Sequence, residues 1–420
     1  MTLVDLHDAQ PETSGGKAAG LGTLLRAGVE VPTGVVIPVG EYRRHLARHG
    51  LDPARTPLAE LRERILQMGI ADGLVRAIDD ALRHRLPGDG AGYMAVRSSA
   101  TYEDLAGASA AGQYDSVLAV RGTDAVCAAV LRCWASLWSV HALAYRGERS
   151  AAADATPEMA VLIQPFLDAE VSGVLFTGQE RILEATYGLG ERLVSGAVTP
   201  DSWRITSEGI LARRVGSTTH RADRVGERIQ LREVPADRRR AMCLSDAQVR
   251  GLDGVGQQVA RVLGASADIE WALTGEAIHV LQARPVTTTM PSSLGPLGPL
   301  GPLDPRDVVP GPGSFHGVPA SGGTATGTVR LIDGPDDFPR VGTGDVLVCR
   351  STDPAWTPLF RIAGAVVTET GGVLSHAAIL ARELGIPAVL AVPGALQRIP
   401  DGATVTVDGD DGTIQVRRPG

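Results

Sequence analysis

Hydrophobic and polar positions recur with two different periods over the first 290 residues of the chain. Apolar residues spaced three to four apart predict helices at 17–27, over much of 58–86, and at 123–145. Short apolar runs predict a hairpin with strands at 268–273 and 277–282, and further strands at 31–38, 93–98, 116–120, 160–166, 173–177 and 181–185. This mixture over such a length indicates an α/β or α+β domain in two lobes.

A segment rich in proline and glycine divides this region from the rest of the chain. Residues 291–314 read PSSLGPLGPLGPLDPRDVVPGPGS, which predicts a semi-extended linker, either a neutral spacer or a tether on which the next domain moves. Beyond it, one helix is predicted at 375–384 among strands at 323–332, 345–350, 364–368, 387–392, 404–408 and 413–416. We therefore expect three parts, at 1–290, 291–314 and 315–420, the last a small β-rich domain.

Composition narrows the class of protein. Hydrophobic residues make up 44% and charged residues 21%, a balance that indicates globular domains and argues against disorder or coiled coil. A net charge of −8 offers no basic surface for nucleic acid or an anionic membrane. No apolar run is long enough to span a bilayer and no signal-peptide pattern begins the chain, so we expect a cytoplasmic protein. Its four cysteines form no CxxC pair and are expected to be free, mostly buried thiols.

A single lysine, Lys17, stands among the 40 lysines and arginines. An ammonium is a compact charge and a guanidinium is a wide fork, so a lysine kept in an otherwise arginine-only chain indicates a place where arginine does not work. Chance is the alternative, and the preceding Ser14-Gly15-Gly16 argues against it. The GxxxxGK[ST] spacing of a Walker A loop is absent.

The most specific local pattern surrounds His376. The sequence TGGVLSHAAI follows an apolar strand, and Ser375 is a candidate cap that places His376 in the first turn of a helix. The positive end of the helix dipole disfavours a cation there, so the imidazole is expected to stay neutral and to be able to accept a phosphoryl group. The alternative is a capping or core histidine.

Three further segments carry candidate phosphate or metal ligands. VRSSAT at 96–101, followed by the small-residue loop at 107–113, suits backbone and hydroxyl contacts to phosphate, with Arg97 adding a charge. In the predicted hairpin, Glu270 and Gln282 are expected on facing strands, where they can ligate Mg²⁺, with Arg284 on the same face as Gln282. Glu184, on a predicted strand before a glycine-rich turn, can serve metal or nucleotide or simply be solvated.

Taken in order, these segments resemble the phosphoenolpyruvate synthase and pyruvate phosphate dikinase family, together with the rifamycin phosphotransferases built from the same parts. The segments that carry the resemblance are GGKAAGLGTLLRAGVEVPTGVVIP, VRSSATYEDLAGASAAGQYDSVL, VSGVLFT, EATYGLGERLVSGAVTPD, DIEWAL, LQARPVT and TETGGVLSHAAILARELGIPAVLAV. They are spread over residues 15–392 and therefore cover both predicted domains.

The resemblance implies an ATP-grasp-like, two-lobed nucleotide domain followed by a swivelling β/β/α phosphohistidine domain. It implies that His376 becomes phosphorylated, that Glu270 and Gln282 hold Mg²⁺, and that Arg284 assists transfer. Nucleotide binding is then expected from Lys17, Arg97, Ser98, Thr101, Gly112, Gln113, Gln164, Glu184 and Arg284. ATP is expected to be converted to AMP and phosphate, with the β-phosphoryl group passing through the histidine to a small-molecule acceptor.

Departures from the family pattern leave the acceptor open. The chain stops at Gly420, and no segment matches the pyruvate-binding barrel or the helical antibiotic domain of the relatives. Leu374 stands where many relatives have a threonine. Two alternatives therefore accompany the phosphotransferase hypothesis: a phosphodonor subunit that acts with a separate acceptor-binding polypeptide, and a non-catalytic nucleotide-binding regulator.

Overall fold

The structure is a computed structural model that describes residues 3–87, 92–101, 114–139, 157–286, 313–353 and 356–417. The chain forms two compact units. The first comprises Met1–Glu170, Ala222–Leu231 and Gly254–Thr287, and the second comprises Val171–Arg221, Arg232–Asp253 and Thr288–Gly420. Helices and strands are mixed in both, which confirms the expected α/β multidomain class. The boundaries predicted at 290 and 315 stay predictions.

The first unit is built on a five-stranded antiparallel sheet. Its strands are β1 (Val4–Asp5), β2 (Val35–Ile37), β3 (Met94–Ala100), β4 (Ser116–Val120) and β5 (Met159–Pro165), in the order β1-β2-β5-β3-β4. The α-helices that lie wholly in the described part of this unit are α1 (Pro11–Arg26), α2 (Val39–Arg48), α3 (Leu58–Gln67), α4 (Asp72–His84) and α5 (Thr123–Ser136). Helices α2 to α5 supply most of the core beside the sheet, including the fully buried Trp134 and Tyr42.

A bulged hairpin completes the described part of this unit that bears on function. Its strands, numbered β12 (Ala267–Thr274) and β13 (Ala277–Pro285) in chain order, pair antiparallel around Thr274-Gly275, as the sequence predicts. Opposite residues are Asp268 with Arg284 and Glu270 with Gln282, but Trp271 then pairs with Val280. Leu281 is therefore an extra residue, and a bulge of this kind leaves one backbone position outside the ladder.

The second unit contains an antiparallel meander and a larger mixed sheet. The meander runs through β6 (Val171–Phe176), β7 (Arg181–Tyr187), β8 (Asp201–Thr206) and β9 (Gly209–Arg214), with the short helix α6 (Glu191–Val194) after β7. The eight-stranded sheet has the order β14-β21-β20-β16-β17-β18-β19-β15. Its strands are β14 (Ser314–His316), β15 (Val318–Ser321), β16 (Thr324–Ile332), β17 (Val346–Cys349), β18 (Ala365–Thr368), β19 (Ala388–Leu390), β20 (Thr404–Asp408) and β21 (Thr413–Val416).

The centre of this eight-stranded sheet is parallel from β16 to β19. Every residue of β17, β18 and β19 is buried, which explains why their sequences are continuous apolar runs rather than alternating ones. Three helices follow these strands: α8 (Thr357–Ile362), α9 (His376–Leu384) and α10 (Ala395–Arg398). Helix α9 ends at Gly385, whose φ of 66° gives the left-handed conformation typical of a helix C-terminus.

Some expectations differ from the structure. The helical region 58–86 is two helices, separated around Gly69, and the helix predicted to reach 145 is described only to Ser136. Several elements were not predicted from the sequence: β8, β9, the hairpin of β10 (His220–Val225) and β11 (Arg228–Glu233), and the helix α7 (Asp246–Leu263). Most of the predicted linker, up to residue 312, lies outside the described residues, and Ser314 already begins β14.

Two remaining expectations concern membranes and thiols. Across the described ranges, no helix combines the length and apolar character that crossing a bilayer requires. All four cysteines are free, as expected, and Cys133 and Cys349 are buried whereas Cys127 and Cys243 are partly exposed.

Candidate functional site

The helix that carries Lys17 has a break immediately before it. Gly15 has φ 74° and ψ 167°, values outside the helical range, and a side chain there would overlap the Ser99 carbonyl. Ser99 Oγ accepts a hydrogen bond from the Ala18 N–H (3.0 Å) and donates one to the Ser14 carbonyl (2.7 Å), so it caps the helix beyond the break. The Gly15-Gly16 pair therefore lets β3 approach the start of this helical segment.

Lys17 lies on that first turn and is directed toward β3. Its side chain is 8% exposed, and Nζ donates to the Ser98 carbonyl at 3.1 Å. Ser98 Oγ is fully buried and has no hydrogen-bond partner within the described ranges. Ser98 shares its face of β3 with Val96 and Ala100, which pack in the core beside helices α2 to α5, whereas Ser99 faces α1. Lys17 is therefore in contact with the backbone of Ser98 and not with its hydroxyl, and the assignment of Ser98 to nucleotide binding stays a prediction.

Arg97 connects β3 to the bulge in the hairpin. Its guanidinium donates to the Leu281 carbonyl, the position that the bulge removes from the strand ladder, and also lies 3.5 Å from Gln164 Oε1. Gln164 is 3% exposed and its Nε2 donates to the Pro32 carbonyl at 2.7 Å. The structure thus brings Arg97 and Gln164 together and places both next to the residue that precedes Gln282.

Of the remaining predicted nucleotide ligands in this region, one lies within the described residues and two lie outside them. Thr101 follows β3, and its Oγ1 lies 3.5 Å from the Glu158 carbonyl. Gly112 and Gln113 lie outside the described residues. Their assignment to nucleotide binding stays a prediction.

The expected facing pair of oxygen ligands is present. Glu270 and Gln282 are direct cross-strand partners, and Gln282 is 7% exposed. No group of three or more acidic, histidine or cysteine side chains in the described ranges is arranged to hold a metal. One carboxylate and one amide oxygen nevertheless fit Mg²⁺, which keeps several waters and takes other ligands from a substrate's phosphates.

Arg284 has a partner that the sequence analysis did not assign. Nε and Nη2 of Arg284 donate to Asp268 Oδ2 at 2.9 and 2.7 Å, and both side chains are nine-tenths buried. Asp268 and Arg284 are opposite each other in the hairpin. The predicted register, in which Glu270 faces Gln282, therefore already contained the signal for this ion pair. The carboxylate fixes the plane of the guanidinium, and Gln282 lies two residues away on the same face of β13.

His376 is the first residue of α9, with Ser375 at the N-cap, as predicted. Ser375 makes no side-chain capping bond, but its N–H donates to the Gly372 carbonyl at 3.1 Å and closes a turn over 372–375. His376 is 8% exposed. The histidine is therefore largely shielded in this arrangement and has to become more accessible before it can react with a nucleotide.

Glu184 is buried, which excludes the alternative that its side chain is simply solvated. The side chain is 2% exposed, and its two carboxylate oxygens accept hydrogen bonds from the N–H groups of Val373 (2.8 Å) and Leu374 (3.1 Å). Burial raises the pKa of Glu184 to about 7, although both amides and the charges of Arg214 and Arg382 lower it. In addition, Thr370 Oγ1 donates to the Gly196 carbonyl at 2.7 Å. The meander therefore holds the loop that precedes His376.

Comparison with known proteins places this geometry in a family. Residues 12–294 match the model described as pyruvate phosphate dikinase, AMP/ATP-binding domain, and residues 341–412 match the PEP-utilising enzyme, mobile domain. A probable phosphoenolpyruvate synthase of Methanothermobacter thermautotrophicus is 35% identical over 96% of this chain and 61% of its own length. The corresponding proteins of Archaeoglobus fulgidus and Aeropyrum pernix are each 34% identical, over 98% and 95% of this chain.

The match extends over only part of these relatives. The chain spans 57% of the Archaeoglobus protein and 56% of the Aeropyrum protein. The two matched regions nevertheless follow each other in the order expected from the sequence, so the fold consists of an ATP-grasp-like domain and then a phosphohistidine domain.

Proposed function

Because the chain belongs to the family that joins a pyruvate phosphate dikinase AMP/ATP-binding domain to a PEP-utilising mobile domain, we propose that it is an ATP-dependent phosphotransferase that works through phosphohistidine at His376. The observation that carries the proposal is the connection from Arg97 to the hairpin bulge, beside the opposed Glu270 and Gln282. It brings a cationic side chain close to two predicted metal ligands that are more than 170 residues away in the sequence.

In this proposal the first unit binds and orients the triphosphate. Lys17, Arg97 and Arg284 neutralise phosphate charge, and the fixed partners of these side chains keep them in place before the substrate arrives. Glu270 and Gln282 would hold Mg²⁺, which would neutralise part of the phosphate charge when bound. Thr101, Gln164 and the loop containing Gly112 and Gln113 complete the proposed nucleotide site. The expectation that Glu184 also binds the nucleotide stays a prediction and is not used here, because Glu184 lies in the second unit.

The reaction at His376 is a nucleophilic substitution at phosphorus. An imidazole nitrogen forms an N–P bond with the β-phosphorus, and the bond from that phosphorus to the oxygen of the α-phosphate breaks to release AMP. Water cleaves the β–γ linkage and releases phosphate, so one phosphoryl group remains on the histidine. The predicted linker at 291–314 lets the histidine domain leave the nucleotide and deliver this group to a small-molecule acceptor.

ATP labelled at the β or the γ position tests the proposal. Acid-labile label is expected on the protein from the β position only, together with AMP, and none is expected on His376→Ala. Label from the γ position with ADP as product contradicts the dikinase route, and the absence of AMP with every acceptor favours a nucleotide-binding regulator. Phosphoprotein that no small molecule discharges, but that a second polypeptide does, favours a phosphodonor subunit.

A further inference from the structure

The loop before His376 presents two consecutive backbone N–H groups to one carboxylate. Val373 N–H bonds to Glu184 Oε1 and Leu374 N–H bonds to Glu184 Oε2, so each oxygen has its own donor. Adjacent amides that converge in this way form an anion-binding nest. The turn over 372–375 keeps both amides close in sequence and space to the residue that begins α9.

Gly372 is what allows the carboxylate to reach these amides. A Cβ at Gly372 would overlap both carboxylate oxygens of Glu184, and yet Gly372 is not among the glycines with positive φ. The close approach of Glu184, and not the backbone conformation, is therefore the feature that requires glycine at this position.

The carboxylate occupies the nest at a cost. Glu184 is almost fully buried, and removal of its charge from water outweighs the two amide bonds, which is why its pKa lies near 7 and not near 4.5. An ionised group held in this way is open to displacement by an anion with more charge and more oxygen acceptors.

The surroundings provide a second position for the displaced carboxylate. A cavity lies between the loop at Gly371–Val373 and the meander, and Glu184 and Arg214 both line it. Both residues are directly opposite Ser202 on its two neighbouring strands, which places them on one face of the sheet. The guanidinium of Arg214 makes no hydrogen bond or ion pair with any described residue and is attracted by the charge of Glu184, so it can receive the carboxylate.

A third polar group next to the nest also lacks a partner. Ser375 is fully buried against Gly196 and Gly371, and its Oγ makes no hydrogen bond in the part of the chain that the structure describes. A carboxylate offers two oxygens, whereas a phosphoryl group on a histidine offers three. The additional hydroxyl suits the third oxygen.

We propose that the amides of Val373 and Leu374, with Ser375 Oγ, bind the phosphoryl group carried by His376, and that Glu184 occupies this site as an internal anion until the phosphoryl group displaces it toward Arg214. The inference rests on the proposed function, since it assigns a binding site for that phosphoryl group. Glu184 is accordingly a positioning residue: it holds the loop in the unphosphorylated protein and releases it on phosphorylation.

Hydrogen exchange of the 370–375 amides in the full chain tests the occupied state without any turnover. Glu184→Gln keeps the size of the side chain but removes its charge, and should speed exchange at Val373 and Leu374 at least tenfold. Gly372→Ala should produce the same change with the charge of Glu184 intact, because the new methyl group pushes the carboxylate away. Glu191→Gln, which changes a carboxylate on α6 that does not contact the 373–374 amides, should leave exchange as in the wild type.

The same measurement with inorganic phosphate tests competition for the nest. Phosphate should restore protection in Glu184→Gln at a concentration several-fold lower than the one that affects the wild type, because the internal competitor is gone. Equal protection in wild type, Glu184→Gln and Glu191→Gln, or no protection at any concentration, overturns the inference. If Glu184→Gln does not fold, Gly372→Ala is measured together with the double variant Gly372→Ala/Glu184→Ala. The exchange rates of the double variant should equal those of Glu184→Ala alone, because the methyl group at position 372 then has no carboxylate to push away.

Phosphohistidine lifetime links the site to the phosphoryl group itself. After labelling from β-labelled ATP, the phosphohistidine of Glu184→Gln should hydrolyse several-fold more slowly than that of the wild type, since no carboxylate competes for the amides. Faster or unchanged hydrolysis overturns the inference even when phosphohistidine forms normally. Conversely, the exchange and phosphate results can hold in a protein that never takes label, in which case the proposed function fails and the anion site stands.

Discussion

The two halves of the candidate machinery are restrained in different ways. In the first unit, Lys17 and Arg97 donate to backbone carbonyls of paired strands, and Arg284 donates to a buried carboxylate directly opposite it in the same hairpin. In the second unit, the loop before His376 is held by Glu184, on another strand, and by the Thr370 hydroxyl. Backbone carbonyls in a sheet cannot leave, and strand pairing keeps Asp268 beside Arg284, whereas Glu184 can rotate away from the loop. The contrast separates a preorganised binding site from a part that has to move.

Removal of the ammonium of Lys17 is expected to have the largest effect on the fixed half. Lys17→Ala should lower the initial rate of phosphoprotein formation by about 10²–10³-fold, the usual cost of one fixed transition-state donor. Lys17→Arg should fail to restore the rate, because the wide guanidinium does not fit beside Ser98. A rate within threefold of the wild type for either variant would contradict the phosphate-binding role, provided that the melting temperature is unchanged.

The second-largest effect is expected from the buried ion pair of Asp268 and Arg284 in the hairpin. Asp268→Asn leaves the Arg284 charge in a nine-tenths buried site without its counter-ion, which should destabilise the protein by about 3 kcal/mol. Denaturant unfolding measures this loss. Asp253→Asn is a matched control on α7, since it also removes a carboxylate bound to an arginine (Arg181) and leaves the hairpin intact. If both variants unfold equally but only Asp268→Asn loses AMP formation, Asp268 positions Arg284 for the reaction.

The movable half should weaken as the pH rises. Glu184 has a pKa near 7 when the loop is held and near 4.5 when the chain is unfolded, so the folded form binds more protons between these values. The contribution of Glu184 to stability is therefore greatest below pH 4.5 and declines by on the order of 3 kcal/mol by pH 7 to 8. The difference in unfolding free energy between wild type and Glu184→Gln should fall across this window, and a flat difference would contradict the assignment.

The core of the first unit should show the opposite dependence on pH, with an effect of about the same size as that of Glu184. Burial, together with repulsion from His49 and Arg48, lowers the pKa of His45 from 6.5 to about 4. A histidine kept neutral in the folded state costs stability as the pH falls from about 6.5 toward 4, because the unfolded chain takes up the proton first. His45→Phe should flatten the acid limb of the stability profile, and His7→Phe, at an exposed position, should not.

The sequence predicted the second unit's histidine region closely for local reasons. Ser375 before the helix and Gly385 after it are cap residues, and helix α9 begins and ends where they indicate. The strands 404–408 and 413–416 were also predicted at their observed bounds. Each of these signals is contained in a window of about ten residues.

Less local features were not predictable in this way. Strands β9 to β11 carry many arginines and acidic residues on partly exposed faces, so their apolar pattern is weak. The hydrogen bonds from Val373 and Leu374 to Glu184 join positions about 190 residues apart, and no spacing rule connects them. The Leu281 bulge likewise depends on pairing that emerges only when both strands of the hairpin are in place.

The solitary ammonium of the chain has a practical consequence. An amine-selective reagent meets only Lys17 and the terminal α-amino group, and Lys17 is 8% exposed. Mass spectrometry of one peptide can therefore follow how quickly that amine is acylated, with no need to resolve competing sites. If ATP slows this acylation, the modification rate of Lys17 reports directly whether the nucleotide site is occupied.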